Sequence, residues 1–190
     1  MDRENVFALS IEEFRSVRVV TFCGIMAALA IVLNYVASIN VGDYIRIGFS
    51  GLPNQAVAYL FGPAVGSIFG GVLDVVKYFL KPTGAFFPGF TISAALGGVI
   101  YGMILYRKKV TIVRVFLAQL TVKAFVNVCL NTIWLKILYN SAIVVILPER
   151  IISNLIMLPI DTFICYVLLK FVDKAIRPSF ERIRNERRGK

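Results

Sequence analysis

Histidine is absent from this 190-residue chain, and cysteine occurs only three times, at Cys23, Cys129 and Cys165. The first absence removes imidazole catalysis and histidine metal ligation. The three thiols stand far apart, each inside an apolar stretch and without CxxC spacing, so neither a zinc site nor a disulfide is expected. Acidic residues are also scarce, 11 Asp+Glu against 21 Lys+Arg. No GxxxxGK[ST], GxSxG or HExxH pattern and no paired-carboxylate arrangement occurs, so ATP binding through a P-loop and hydrolytic chemistry are not expected. The reading is of a non-enzyme that takes no cofactor and no metal. Residues 1–16 carry both signs of charge and the apolar run behind them has no small-residue cleavage pattern, so no removable signal peptide is expected. No repeat of 20 to 50 residues and no low-complexity tract is visible.

What is abundant is apolar surface. The chain is 58% hydrophobic and 17% charged, with mean hydropathy +0.77, and its apolar residues gather into runs too long for a small soluble core. At 1.5 Å per residue a helix crosses a bilayer core of about 30 Å with roughly 20 residues. The sequence divides accordingly into an all-α bundle of six transmembrane helices in a single membrane domain, 1–190: a cytoplasmic arm, 1–16; helices over about 17–40, 48–61, 63–81, 90–106, 112–139 and 149–173; and a basic cytoplasmic tail, 174–190. The second helix is short for a crossing and can be preceded by an extended segment over Tyr44 to Phe49. Phe61-Gly62-Pro63 predicts a tight hairpin, with Gly ending one helix and Pro opening the next. Lysine and arginine concentrate near the start, at Arg107, Lys108, Lys109 and Arg114, and from Lys170 onward. Because short cytoplasmic loops retain positive charge, both termini are placed inside, and the basic excess reports topology in a bacterial plasma membrane, not a nucleic-acid partner.

Small residues four apart mark helix contacts inside a bilayer. Gly66/Gly70 and Gly98/Gly102 predict internal packing, whereas Gly24 and Ala28, near the basic face, are open to a partner membrane protein. Buried polar residues carry the functional signal, since a charge at the bilayer centre costs about 2.5–3.5 kcal/mol. Gln119, Lys123, Asn127, Asn131 and Trp134 fall within a sector roughly 120° wide at 100° per residue. Arg150, Asn154 and Asp161 nearly superpose on the last helix. Lys123 and Asp161 are read as a structural ion pair in the cytoplasmic half, and Asp74 as opposed across the membrane from Asp161. Asn127, Asn131, Trp134, Asn154 and Arg150 climb with Arg46 and Lys81 toward the outer face. This convergence predicts an outward-opening pocket for a flat heterocycle with an anionic tail. Phe86, Phe87 and Phe90, around a Pro-Gly loop, are expected to stack on a ring. Asp74 is a further candidate, and can also pair with Lys77.

Several stretches carry a resemblance: Gly51-Leu52-Pro53, Ala58-Tyr59-Leu60-Phe61-Gly62-Pro63, Gly66 with Gly70-Gly71 and Asp74, Lys81 through Thr91, Ser93 through Gly98, Tyr101-Gly102, Asn131-Thr132-Ile133-Trp134, Leu147 through Arg150, and Leu158-Pro159. Together they resemble the substrate-binding S components of energy-coupling factor (ECF) vitamin transporters, nearest the folate-specific group; the Phe86-Phe87-Pro88-Gly89-Phe90-Thr91 loop is the most specific part. The resemblance implies a six-helix subunit that captures folate from outside. It also implies association with a transmembrane coupling subunit and two ABC ATPases, with Gly24 and Ala28 on the docking face. Gly24 stands where alanine is more usual in the family. In that setting the pterin falls near Asn127, Asn131 and Trp134, and the glutamate tail near Arg46, Lys81 or Arg150. The alternatives are an S component for another vitamin, such as riboflavin or pantothenate, and a structural membrane protein whose polar stripes only pack helices.

Overall fold

The computed structural model describes residues 3–14, 16–36, 38–41, 45–81, 86–139 and 143–181. Long apolar runs become helices because a backbone leaving water must satisfy its own polar groups. The chain forms α1 (Arg3–Phe14), α2 (Val17–Val36), an antiparallel hairpin of β1 (Ser38–Val41) and β2 (Ile45–Gly48), α3 (Leu52–Phe61) and α4 (Pro63–Leu80). It continues with α5 (Pro88–Leu105), α6 (Ile112–Thr121), a π-helical stretch (Val122–Leu130), α7 (Asn131–Tyr139) and α8 (Ile143–Ala175). Among the described residues five helical stretches are long and apolar enough to cross a bilayer: Val17–Val36, Pro63–Leu80, Pro88–Leu105, Ile112–Leu138 and Arg150–Ala175.

The helix expected over 48–61 is thus corrected. Gly48 closes β2, Phe49–Gly51 forms a single 3₁₀ turn, and α3 has only ten residues, about 15 Å of rise. Likewise α2 stops at Val36 instead of reaching 40, because the chain turns extended at Ser38. The last helix begins earlier and ends later than 149–173 and carries Pro148 and Pro159 within it. The arm is helical over most of its length, as α1. The described part of the tail continues helical over 177–181, and residues 182–190 lie outside the described residues.

Side-chain contacts fix the relative directions. Tyr35 Oη, at the end of α2, donates to the Leu80 carbonyl at the end of α4 (2.7 Å), so these two helices run parallel and α3 with the hairpin supplies the return leg. The turn between α3 and α4 depends on Gly62, whose φ of 92° suits glycine, and on Pro63 at the first helical position. Ser10 of α1 completes that turn. Its hydroxyl donates to the Phe61 carbonyl (2.6 Å) and accepts from the free N–H groups of Ala64 (3.1 Å) and Val65 (3.2 Å) that open α4. Phe61 also meets Phe22 of α2 and Phe180 edge-on at 5.6 and 5.0 Å, so the start of α2 and the last described helical segment meet at the α3–α4 turn.

The α4–α5 contact bears out the internal packing expected from the two glycine pairs. A Cβ on Gly98 would sit 2.1 Å from the Gly66 carbonyl oxygen, one on Gly102 2.4 Å from Pro63, and one on Gly70 2.6 Å from the Ala94 carbonyl oxygen. Only glycine allows these backbones to approach so closely.

Candidate functional site

Behind that seam the helices part around a cavity of about 330 Å³, within the range of small-molecule sites. Phe49, Leu52, Asn54 and Gln55 come from the hairpin exit and α3, and Asp74 from α4. α5 adds Phe90, Ser93 and Tyr101; the helix from α6 to α7 adds Gln119, Lys123, Asn127 and Asn131; α8 adds Asp161. These polar groups sit on otherwise apolar helices, so folding has turned each toward the cavity and away from lipid.

Two linked systems line the walls. Gln55 Nε2 donates to Tyr101 Oη (3.2 Å), and Tyr101 Oη donates to Gln119 Oε1 (2.7 Å). Lys123 Nζ and Asp161 Oδ2 form an ion pair of 2.6 Å. Near the opposite rim Thr91 Oγ1 donates to Asp74 Oδ2 (2.9 Å), and Trp134 Nε1 donates to Ser93 Oγ (3.0 Å). Among the described residues, four buried atoms on cavity-lining residues have no hydrogen-bond partner: Asn54 Oδ1, Gln55 Oε1, Gln119 Nε2 and Asn131 Oδ1. Each such orphan costs about 1–3 kcal/mol. Their concentration around one void marks a surface that gains most from a polar ligand offering both donors and acceptors.

Of the residues read from the sequence as a site, Asp74, Phe90, Asn127 and Asn131 line the cavity directly. Trp134 stands one bond behind it through Ser93, and Phe87 packs on Trp134 (5.6 Å) and on Phe90 (6.1 Å). Asn154 accepts from Asn127 Nδ2 (3.3 Å), and Arg150 Nη1 donates to the Asn127 carbonyl (3.2 Å), so both reach the wall from behind. Of the remaining three, Lys81 and Phe86 stand apart from the cavity lining. Lys81 lies over the Tyr35 ring at 5.3 Å, and Phe86 packs against Tyr78 at 5.0 Å. Arg46 is placed by its backbone opposite Asn40 in the hairpin, and its side chain lies outside the described residues, as do Pro82 to Ala85 of the loop.

The acidic residues add to that picture. Lys123 and Asp161 are indeed paired, yet they also face the void, and Asp74, read on the opposite half of the membrane, lines that same void. Residues passed over are Gln55, Ser93, Tyr101 and Gln119. Gln119 was visible as the first member of a four-residue polar series. Gln55 offered a signal in being an amide within the otherwise apolar Leu52–Phe61; nothing in sequence distinguishes Tyr101 from an interfacial tyrosine. The docking candidates are exposed: a Cβ at Gly24 would meet nothing within 4 Å, and Ile25 beside it is 60% exposed.

Comparison with known proteins bears on this geometry. The family model described as "ECF transporter, substrate-specific component" matches residues 18–169. A "Folate transporter FolT" of Clostridium novyi (strain NT) is 40% identical over 160 residues, covering 84% of this chain and 92% of that protein. Another of the same description, from Leuconostoc mesenteroides subsp. mesenteroides, is 31% identical over 153 residues, covering 76% and 83%. A crystal structure of FolT bound with folic acid superposes with TM-score 0.73 at 31% identity, covering 82% of this chain and 94% of that one. A helical multi-pass membrane architecture, a family match over most of its length and relatives above 30% identity together place this chain in the family of ECF transporter substrate-specific components.

Proposed function

We propose that this chain is a folate-binding S component. It captures folate at the outer face and delivers it inward once coupled to an ATP-driven module. The observation that carries the reading is the set of four unpartnered polar atoms around one cavity, in a chain 40% identical to a folate transporter. A pterin presents donors and acceptors along one edge and a flat apolar face. Asn127 and Asn131 supply amide partners for the edge, Asp74 accepts from an exocyclic amino group, and Phe87, Phe90 and Trp134 offer ring faces. Arg46 and Lys81, the cations read on the outer face, attract the glutamate tail.

The working assembly adds a transmembrane coupling subunit and two ABC ATPases, which supply the ATP chemistry that this non-enzymatic chain does not perform. Their contact is the small-residue face of α2 at Gly24 and Ala28. One membrane domain, 1–190, with both termini cytoplasmic, puts the basic loop 107–109 and the tail on the side where that module sits.

Fluorescence titration of the purified protein tests the ligand. Trp134 is the one tryptophan in the chain and hydrogen-bonds a cavity-lining serine, so it reports occupancy directly. Folate is expected to shift its emission and raise the melting temperature, with riboflavin and pantothenate inert. A response to riboflavin or pantothenate alone would overturn the specificity, and silence toward all three would remove the vitamin-binding reading.

A further inference from the structure

The helix running from α6 to α7 contains nine π-helical residues, Val122–Leu130. Such stretches are rare, because an i→i+5 ladder has poorer geometry than the α form, and they gather at functional sites. Here the wide turn does geometric work. In an α-helix four residues overshoot one turn by about 40°, so a polar residue at every fourth position drifts steadily around the axis. In a π-helix the turn holds more than four residues, so the same step falls short and the drift reverses. Gln119, Lys123, Asn127 and Asn131 straddle the change from one form to the other, and all four face the cavity. A purely α-helical segment would spread them over roughly 120°, and the reversed drift narrows that sector onto the cavity.

The altered ladder leaves a mark. The Asn131 N–H reaches back five residues to the Val126 carbonyl. The Asn127 carbonyl, which an α-helical Asn131 would have bonded, accepts instead from Arg150 Nη1 at 3.2 Å. One turn along α8, Asn154 accepts from Asn127 Nδ2 (3.3 Å) while its own Nδ2 donates to the Arg150 carbonyl (2.8 Å). Asn127 is therefore held through backbone and side chain together by two residues of α8. Arg150 does not line the cavity.

We propose that Arg150 is a positioning residue: by taking up the Asn127 carbonyl it stabilises the π-helical register, and that register aims the polar series of this helix into the cavity. It acts through a neutral carbonyl and not on a ligand anion. The consequence for binding rests on the folate reading; the consequence for helix register does not.

The test therefore has a ligand-free half. In a background carrying Cys23→Ser, Cys129→Ser and Cys165→Ser, the reactivities of Asn131→Cys and Thr132→Cys toward a charged, water-soluble methanethiosulfonate are compared. Asn131 lines the cavity and Thr132 is buried away from it. Arg150→Ala is expected to collapse the ratio of the two rates, and Arg150→Lys, which keeps a donor of similar reach, to restore it. A ratio unmoved by Arg150→Ala, or unrestored by the lysine, overturns the proposal. In the binding half, Arg150→Ala is expected to weaken folate and pteroate, the same pterin without glutamate, by an equal factor of about ten. Weakening of folate alone would overturn the proposal and make Arg150 a ligand for the tail. If the wild-type protein binds neither compound, the folate reading falls, and the labelling ratio still decides the role of Arg150.

Discussion

The two sides of α5 are built from opposite materials. Toward α4 it presents Gly98 and Gly102, whose missing side chains let backbone meet backbone. Toward α6 and α8 it presents Ser93, Gly97 and Tyr101 to a void edged with amides and an ion pair. The first side gains from van der Waals contact alone, since lipid tails are as apolar as leucine and offer helices no hydrophobic drive to associate. The second leaves buried polar atoms unpartnered, which costs stability. The contrast separates scaffold from site: a rigid seam that tolerates no added atom supports a wall whose unmet hydrogen bonds await a ligand.

The largest effect is expected where the seam is closed. Gly98→Leu would force α4 and α5 apart and cost more than about 3 kcal/mol, above the usual range for overpacking because the clash is with backbone. Loss of the monodisperse detergent-solubilised protein on size exclusion checks it. Gly71→Ala is the control, as its Cβ would meet its nearest neighbours, Ala95 and Thr91, at 3.8 Å. Equal damage from both would dissolve the distinction between seam and surface. On the other side of α5, Lys123→Ala strands the Asp161 carboxylate and is expected to cost about 3 kcal/mol, with partial recovery in Lys123→Leu combined with Asp161→Leu. Thermal denaturation of the single and double variants measures the recovery. A double variant no better than the single would show that the pair does not act as a unit.

How much of this was legible in the sequence follows from which signals are local. Helix pairing through Gly66, Gly70, Gly98 and Gly102 was readable, because small residues four apart in an apolar run have few other uses. The polar series from Gln119 to Asn131 was equally visible as a four-residue spacing. Its π-helical form was not, since nothing in Val122–Leu130 reveals which carbonyl an arginine some 20 residues later will reach. The extended residues ahead of α3 were anticipated over 44–49, but the 48–61 helix was drawn too long for a related reason. Hydropathy recognises apolar residues but cannot tell a ten-residue helix fed by a hairpin from a full crossing. The cations were the least legible part: Lys81 and Arg150 looked alike as outward positive charges, yet one rests on Tyr35 and the other on a backbone carbonyl.

Smaller effects sharpen the same contrast from the cavity side. Gln119→Leu removes an amide whose nitrogen has no partner while keeping much of its volume. Leucine also takes the acceptor away from Tyr101 Oη (2.7 Å), so the stranded hydroxyl and the removed orphan nitrogen nearly offset: the ligand-free protein is expected to stay within about 1 kcal/mol of wild type, and folate affinity to fall by roughly tenfold, the value of about one hydrogen bond. Calorimetric titration alongside thermal denaturation reads both. If stability and affinity fell together, the unpartnered amide would be scaffold after all.

The smallest effect on the fold is expected on α2, which belongs to neither side of α5. Gly24 is exposed and has open space where a side chain would go, so Gly24→Trp displaces nothing within the subunit. Stability and folate binding should stay within about 0.5 kcal/mol of wild type, as for other surface substitutions. A bulky indole on a face meant for close helix contact would nevertheless hold a partner away, because small residues matter there only when another helix approaches. Co-purification with the coupling subunit should therefore be lost while binding persists. Loss of binding as well would mean that this face supports the bundle from within, and retention of both would move the docking surface elsewhere on the molecule.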